Sequence, residues 1–187
     1  MKFESMKLHN FMRYKGETEI HFSCNDEKNV TVVLGDNTFG KTTLAQAFRW
    51  GLFEELNTTN YTKKKDIVLL NNEIIATMPP ESRQPVSVEI VIREGNTQWK
   101  FTRTAYFKRK VSGTRDLAVV QDGESKLTMI IIQDGVPGKV INNNGVNTGA
   151  EGKKYKQGCV QETIENMHPR SLTNYFFNDG ERTGDAK

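Results

Sequence analysis

The stretch Val30-Thr31-Val32-Val33-Leu34-Gly35-Asp36-Asn37-Thr38-Phe39-Gly40-Lys41-Thr42-Thr43-Leu44-Ala45-Gln46-Ala47-Phe48-Arg49-Trp50-Gly51-Leu52 decides how the chain is read. Its first five residues are β-branched or apolar at nearly every position, the pattern of a short strand buried on both faces. That pattern stops at Gly35. From Thr42 onward Leu44, Ala45, Ala47, Phe48 and Leu52 fall near helical spacing, and a helix is expected through about Leu56. Between the two, residues 35–42 satisfy G-x-x-x-x-G-K-[ST], the phosphate-binding loop motif. Glycines let such a loop curl until successive N–H groups point inward at phosphate oxygens, and the following helix adds the positive end of its dipole. Lys41 can then reach β- and γ-phosphates, and the Thr42 hydroxyl can ligate Mg²⁺. The bland alternative is a chance Gly-rich turn with Lys41 solvated, and the flanking strand and helix weigh against it. Such a loop reads phosphates and says nothing about the base.

On the N-terminal side, Phe3, Met6, Leu8, Phe11, Ile20 and Phe22 surround Arg13-Tyr14-Lys15-Gly16, which reads as two short strands joined by a turn. On the C-terminal side, the polar residues 57–66 precede a short apolar run, Ile67 to Leu70. Pro79-Pro80 and Pro85 then punctuate a loop before the alternating stretch 86–92, and Gly95-Asn96-Thr97 turns it back into 99–103 as a hairpin. A further apolar run, Leu127 to Ile132, ends at Gln133-Asp134-Gly135. Residues 136–158 are rich in Gly, Asn and Lys, so a flexible insertion is expected there. A helix over 160–172 is limited by Pro169, and Tyr175-Phe176-Phe177-Asn178-Asp179-Gly180-Glu181-Arg182 follows.

With 187 residues the chain is long enough to bury a core as one domain. No apolar run approaches the roughly 18 residues of a membrane-spanning helix. A net charge of +3 permits anionic ligands without establishing a nucleic-acid surface. Cys24 and Cys159 lie far apart, and His9, His21 and His168 form no ligand pattern, which argues against a disulfide scaffold or zinc cluster and fits a reducing compartment. The N-terminal MKFESMKLHNF has no apolar h-region, so the expected location is cytoplasmic.

Phe11-x-x-Tyr14, the strand into Gly35-x-Asn37-x-x-Gly40-Lys41-Thr42-Thr43, and Ala47-Phe48-Arg49-Trp50-Gly51-Leu52 closely resemble the N-terminal half of SMC-type ABC ATPases. The hairpin ending at Arg103 is similar to the strand pair in the break-repair branch of that family. Tyr175 to Arg182, F-F-x-D-G-E-R, is similar to a segment of the DndD family, the ATPases of DNA phosphorothioation, and Asp179 stands where repair ATPases carry a glutamine that senses Mg²⁺ and γ-phosphate. Read without that resemblance, the same segment is a buried aromatic strand ending in a polar turn. The resemblance implies an α/β P-loop NTPase fold, the N-terminal lobe of an ABC/SMC-type head with a β-hairpin-rich subdomain. It implies ATP and Mg²⁺ as cofactors, with Gly35, Asp36, Asn37, Thr38, Phe39, Gly40, Lys41, Thr42, Thr43 and Arg13 as the nucleotide-binding set. Lys41 and Asp179 are the candidate catalytic residues, and Thr42 and Asp179 the candidate metal ligands. Thr38 and Phe39 depart from the small residues usual in the family's loop. No L-S-G-G signature and no Asp-Glu pair closing an apolar run occur in the chain, so it is expected to be one lobe, residues 1–187, of a longer ATPase. The implied partners are a C-terminal lobe, a second protomer and double-stranded DNA, with hydrolysis expected only after assembly.

Two other functional readings compete. A self-contained P-loop kinase or NTPase would use Asp134, at the end of the 127–132 run, as its metal-binding acid, although a hairpin turn at Asp134 is the favoured reading of that position. A degenerate module would bind ATP only structurally, or not at all. Lys63-Lys64-Lys65 and Lys108-Arg109-Lys110 could neutralise DNA phosphates, but such clusters are more often solvated faces.

Overall fold

The computed structural model describes residues 1–35, 40–56, 67–112, 116–143 and 158–172. Strands β1 (Lys2–His9) and β2 (Glu17–His21) pair antiparallel, as the spacing of the N-terminal apolar residues predicts. Helix α1 (Lys41–Phe53) follows, then a short helix α2 (Asn72–Thr77). The long hairpin of β3 (Arg83–Glu94) and β4 (Thr97–Ser112) extends the expected 86–103 pair at both ends. Strands β5 (Asp116–Gln121), β6 (Lys126–Gln133) and β7 (Val136–Asn142) complete a seven-stranded antiparallel sheet in the order β2-β1-β3-β4-β6-β7. β5 lies beside the distal half of β4, beyond the stretch paired with β6. Helix α3 (Cys159–Met167) and a 3-10 turn (Arg170–Leu172) close the described chain, with Pro169 ending the helix as expected.

Alternation along the strands separates two faces. Met6, Leu8, Val86, Val88, Ile90, Phe101, Ala105, Phe107, Leu127 and Met129 are buried in one cluster with Leu44, Ala47, Phe48 and Leu52 of α1 and with Val160 and Ile164 of α3. The opposite face carries Lys7, Glu89, Lys100, Thr102 and Thr104, all partly exposed, with Lys100 and Glu89 paired at 3.0 Å. Helix α1 sits close to the sheet at Gly51, where a Cβ would lie 2.8 Å from Val88 Cγ1 and 3.0 Å from Ile90 Cδ1.

The C-terminal end of α1 is held by a buried cation. The Arg103 guanidinium, 4% exposed, donates to the carbonyls of Gly51 (3.1 Å) and Leu52 (3.3 Å), to Glu54 Oε2, to Ser125 Oγ and to Gln161 Oε1 of α3. Burial lowers its pKa to about 10 against the opposing pull of Glu54, with Arg170 lowering it further, so it stays charged at neutral pH. A cation there also complements the helix dipole. Glu54, in the left-handed region at φ 58, stops the helix by donating its N–H to the Arg49 and Trp50 carbonyls, so α1 ends at Phe53 and not near Leu56.

Three sequence expectations are corrected. Residues 30–34 form no strand: Val30, Val32 and Leu34 are 73%, 71% and 87% exposed. A strand apolar on both faces needs neighbours to cover it, and β1 already spends its two edges on β2 and β3, while no described strand runs beside 30–34. The span expected as a flexible insertion begins instead with β7, a tolerated place for Pro137 and Gly138 because β7 is the outermost strand of the sheet. Residues 144–157 lie outside the described chain, and Asn143 joins their two flanks: its N–H donates to the Leu127 carbonyl, and its own carbonyl accepts from Gly158 N at 2.7 Å. The Asn143 side-chain oxygen also accepts from Gln161 N in the first turn of α3. Lastly, α2 and β5 form where no element was expected.

Candidate functional site

The N-terminus of α1 is the end of the helix that the phosphate-loop motif addresses. Gly40 precedes it in the left-handed region at φ 92, a conformation that favours glycine. Its N-cap residue, a glycine, offers no side chain to the first turn, and no acidic residue occupies that turn. Its first N–H groups therefore keep hydrogen-bonding capacity that a helix usually spends on a capping residue, and the helix dipole makes the same place receptive to an anion. By contrast α2 is capped by its own Asn71 side chain.

Around this terminus the described members of the candidate set fall as follows. The Lys41 ammonium donates to the Gly35 carbonyl, spanning the two ends of the loop. Thr42 is exposed, and Thr43 is buried at 7% exposure in the first turn. Arg13 is exposed in the turn between β1 and β2, one residue from Tyr14. Asp36, Asn37, Thr38 and Phe39 lie outside the described residues, as do Asp179 and the rest of the 174–182 segment.

The turn between β1 and β2 is brought to Gly40 by contacts that the sequence reading did not include. Asn10 closes the turn on itself, its N–H donating to the Gly16 carbonyl at 3.0 Å and its side-chain oxygen accepting from Gly16 N at 2.9 Å. Asn71 pins the turn from outside through its side-chain amide on the Met12 carbonyl (2.7 Å) and its N–H on the Asn10 carbonyl (3.0 Å). Phe11, fully buried, packs on Trp50 of α1 with ring centroids 5.5 Å apart. Tyr14 thereby reaches Gly40, where its hydroxyl donates to the Gly40 carbonyl at 3.4 Å. Burial pushes the Tyr14 phenol above its ordinary value, so it remains a donor. Asn10 and Asn71 carried a readable signal, since asparagine is the residue that both tolerates a left-handed backbone and bonds to nearby backbone groups. Asn10 indeed sits at φ 54.

Asp134 does not share this site. It occupies the exposed β6–β7 turn at φ 50, and Asn96 of the β3–β4 turn donates to its carboxylate at 2.9 Å. Tyr14 follows the end of β1 paired with Ser87, whereas Asp134 follows the end of β6 paired through Thr97 to Glu94. Those two levels of β3 are about 23 Å apart at a strand rise of ~3.3 Å per residue. A carboxylate there cannot share a metal ion with Thr42, which removes the basis of the kinase-like reading and bears out the hairpin turn. The basic cluster 108–110 is likewise divided among structural tasks. Lys108 pairs with Glu81 at 2.8 Å, and the Arg109 guanidinium donates to the Ile75 and Met78 carbonyls at the end of α2. Only Lys110 of the three is exposed without a described ion pair. Lys63-Lys64-Lys65 lies outside the described residues.

An α/β fold whose first helix begins directly at the end of a G-x-x-x-x-G-K-[ST] motif and packs on an antiparallel sheet is that of a P-loop NTPase. A family model described as an AAA domain matches residues 5–183, and the chain belongs to that family of SMC-like P-loop ATPases. No similar protein was found among curated sequences. Among the described residues no helix is long and apolar enough to cross a membrane.

Proposed function

We propose that the chain is the ATP-binding N-terminal lobe of an SMC-like ATPase acting in DNA modification, restriction or repair, in a role like that of the DndD family. The observation that carries the nucleotide reading is the α1 N-terminus, which opens on Gly40-Lys41-Thr42 of the phosphate-loop motif with a side-chain-free N-cap and no acidic residue in its first turn. The residues fit a Mg²⁺-nucleotide: backbone N–H groups at Gly40 through Thr43 would meet phosphate oxygens, and Thr42, exposed in the first turn of α1, would hold the metal. Lys41 would exchange the Gly35 carbonyl for the β- and γ-phosphates, and Arg13 would add a second cation. Bound Mg²⁺ would neutralise charge developing on the transferred phosphoryl group. Asp179 is assigned to the metal or the attacking water on its resemblance alone.

Assembly with a C-terminal lobe and a second protomer completes the site in this reading. Its support is the exposed apolar run Val30, Val32, Val33 and Leu34, which leads directly into the phosphate loop and has the composition of a strand covered on both faces. Double-stranded DNA as a ligand rests on resemblance, and a cytoplasmic location on the two free cysteines. ATP binding and single-chain turnover, with Lys41→Ala as control, test the proposal. Binding that depends on Lys41 with negligible turnover is the expected result. ATP binding unaffected by Lys41→Ala, or no binding at all, would overturn it in favour of a module that does not use nucleotide.

A further inference from the structure

We propose that Tyr14 is a positioning residue of the phosphate site, acting through the Gly40 peptide to aim the Lys41 backbone N–H; this rests on the nucleotide reading above. The Gly40 carbonyl accepts two hydrogen bonds, from Leu44 N at 2.9 Å as the first rung of α1 and from the Tyr14 hydroxyl at 3.4 Å. Because the peptide between Gly40 and Lys41 is planar and trans, fixing that carbonyl along the helix fixes the Lys41 N–H in the opposite direction, outward from the helix N-terminus. Outward is where a phosphate oxygen would lie.

The ring does a second job. A Cβ at Gly40 would meet Tyr14 Oη at 3.3 Å, Cζ at 3.4 Å and Cε2 at 3.6 Å, so its three nearest neighbours all belong to this one side chain. Tyr14 is thus the wall against which the left-handed Gly40 is seated. Gly40 is buried, so the wall confines a residue that solvent does not.

The turn that delivers Tyr14 is held in an unfavourable backbone. Met12 sits at φ 49, a left-handed region that non-glycine side chains enter only at a cost. Hydrogen bonds from both sides of that residue hold it there: Met12 N donates to the Leu69 carbonyl at 2.6 Å, and its carbonyl accepts from Asn71. Two residues later the Tyr14 N–H closes on the Phe11 carbonyl at 2.8 Å, which sets the direction of the side chain. A strained turn over-determined by its neighbours, and ending in a ring against Gly40, is a device for holding the start of α1 before the ligand arrives.

The experiment measures affinities for ATP, inorganic tripolyphosphate and adenosine, with thermal stability, for the wild-type protein, Tyr14→Phe, Tyr14→Leu and Tyr14→Ala. A positioning role through the peptide weakens ATP and tripolyphosphate by the same factor, about 2- to 3-fold in Tyr14→Phe, where only one long hydrogen bond is lost. The loss grows to about 10-fold or more in Tyr14→Leu and Tyr14→Ala, where the flat wall is gone, and the phenylalanine variant keeps the wild-type unfolding temperature. Weakened ATP binding with unchanged tripolyphosphate binding would overturn the proposal by making Tyr14 a base-stacking group. Unchanged binding of both ligands in Tyr14→Leu would overturn it outright, and that variant keeps apolar bulk should Tyr14→Ala fail to fold. Wild-type protein that binds neither ATP nor tripolyphosphate would sink the nucleotide reading itself, and this inference with it.

Discussion

Gly51 and Val88 approach so closely that the helix carrying the phosphate loop lies on the sheet with no room for a methyl group between them. A Cβ at Gly51 would come within 2.8 Å of Val88 Cγ1. In an exposed helix a glycine costs about 1 kcal/mol relative to alanine, so the usual expectation for Gly51→Ala is a gain. Here overpacking reverses the sign. Gly51→Ala is expected to lose about 1–3 kcal/mol in urea unfolding, and Gly51→Ala combined with Val88→Ala to recover part of it. A stabilised single variant would show that α1 is free to shift.

Arg103→Met should cost about 2–4 kcal/mol, because it strips the buried Gly51 and Leu52 carbonyl contacts and leaves the partly buried Gln161 contact unmade. Arg103→Lys should restore only a fraction, since a point-like ammonium cannot reach acceptors that the planar fork serves together. Glu54, half exposed, matters less, and Glu54→Gln should stay within about 1 kcal/mol of wild type. Equal losses at Arg103 and Glu54 in chemical denaturation would mean that the ion pair, and not the carbonyl clamp, is the stabilising contact.

His168 is 1% exposed between the Phe3 and Phe53 rings, and burial holds its pKa below the ordinary 6.5. Well above pH 6.5 the imidazole is neutral in both folded and unfolded chains and contributes no pH dependence. As pH falls below 6.5 the unfolded chain takes up a proton that the folded chain refuses, and stability drops by up to about 1.4 kcal/mol per pH unit until the folded value is passed. The difference in unfolding free energy between wild type and His168→Phe should therefore narrow or change sign between pH 7 and pH 5. A difference that stays constant over that interval would rule out His168 as the source.

Asp134→Gly should leave stability within about 0.5 kcal/mol of wild type, since the turn already holds φ 50 and glycine accepts it freely. Nucleotide affinity in the presence of Mg²⁺ should not change. A fall in Mg²⁺-dependent binding would bring back the kinase-like reading.

Asn71→Ala removes the amide on the Met12 carbonyl and the cap of α2 together, because Asn71 Oδ1 accepts from Glu73 N at 3.0 Å. A loss of about 1–2 kcal/mol is expected. Amide exchange should quicken both in α2 and at Tyr14; quickening in α2 alone would separate the cap from the turn.

Much of the fold was legible because periodicity reports burial, and burial here is one-sided. Val86, Val88 and Ile90 alternate with Ser87 and Glu89, so the β3–β4 hairpin declares its inner face, and Leu44, Ala47 and Phe48 do the same for α1. The run 30–34 misled for the converse reason. Its composition states that both faces want cover, but composition cannot say whether the covering strands are present, and the residues stand exposed. β7 was hidden by Pro137 and Gly138, which an edge strand tolerates and an interior strand does not. Within the candidate site, spacing alone put Gly40, Lys41 and Thr42 at the start of a helix, and α1 begins at Lys41. The Tyr14 contact did not, since it depends on Asn71 reaching back across the chain to Met12, a pairing that no local pattern encodes.

Asn143 gives the chain a place to vary. Because it bonds Leu127 on one side and Gly158 and Gln161 on the other, the two flanks of residues 144–157 are fastened to each other independently of what lies between them. Each doubling in length of the intervening segment then costs only about 0.6 kcal/mol of closure entropy. That junction is where an affinity tag, a fluorescent domain or a protease site can be spliced into the middle of the polypeptide while the sheet, α1 and α3 keep their register.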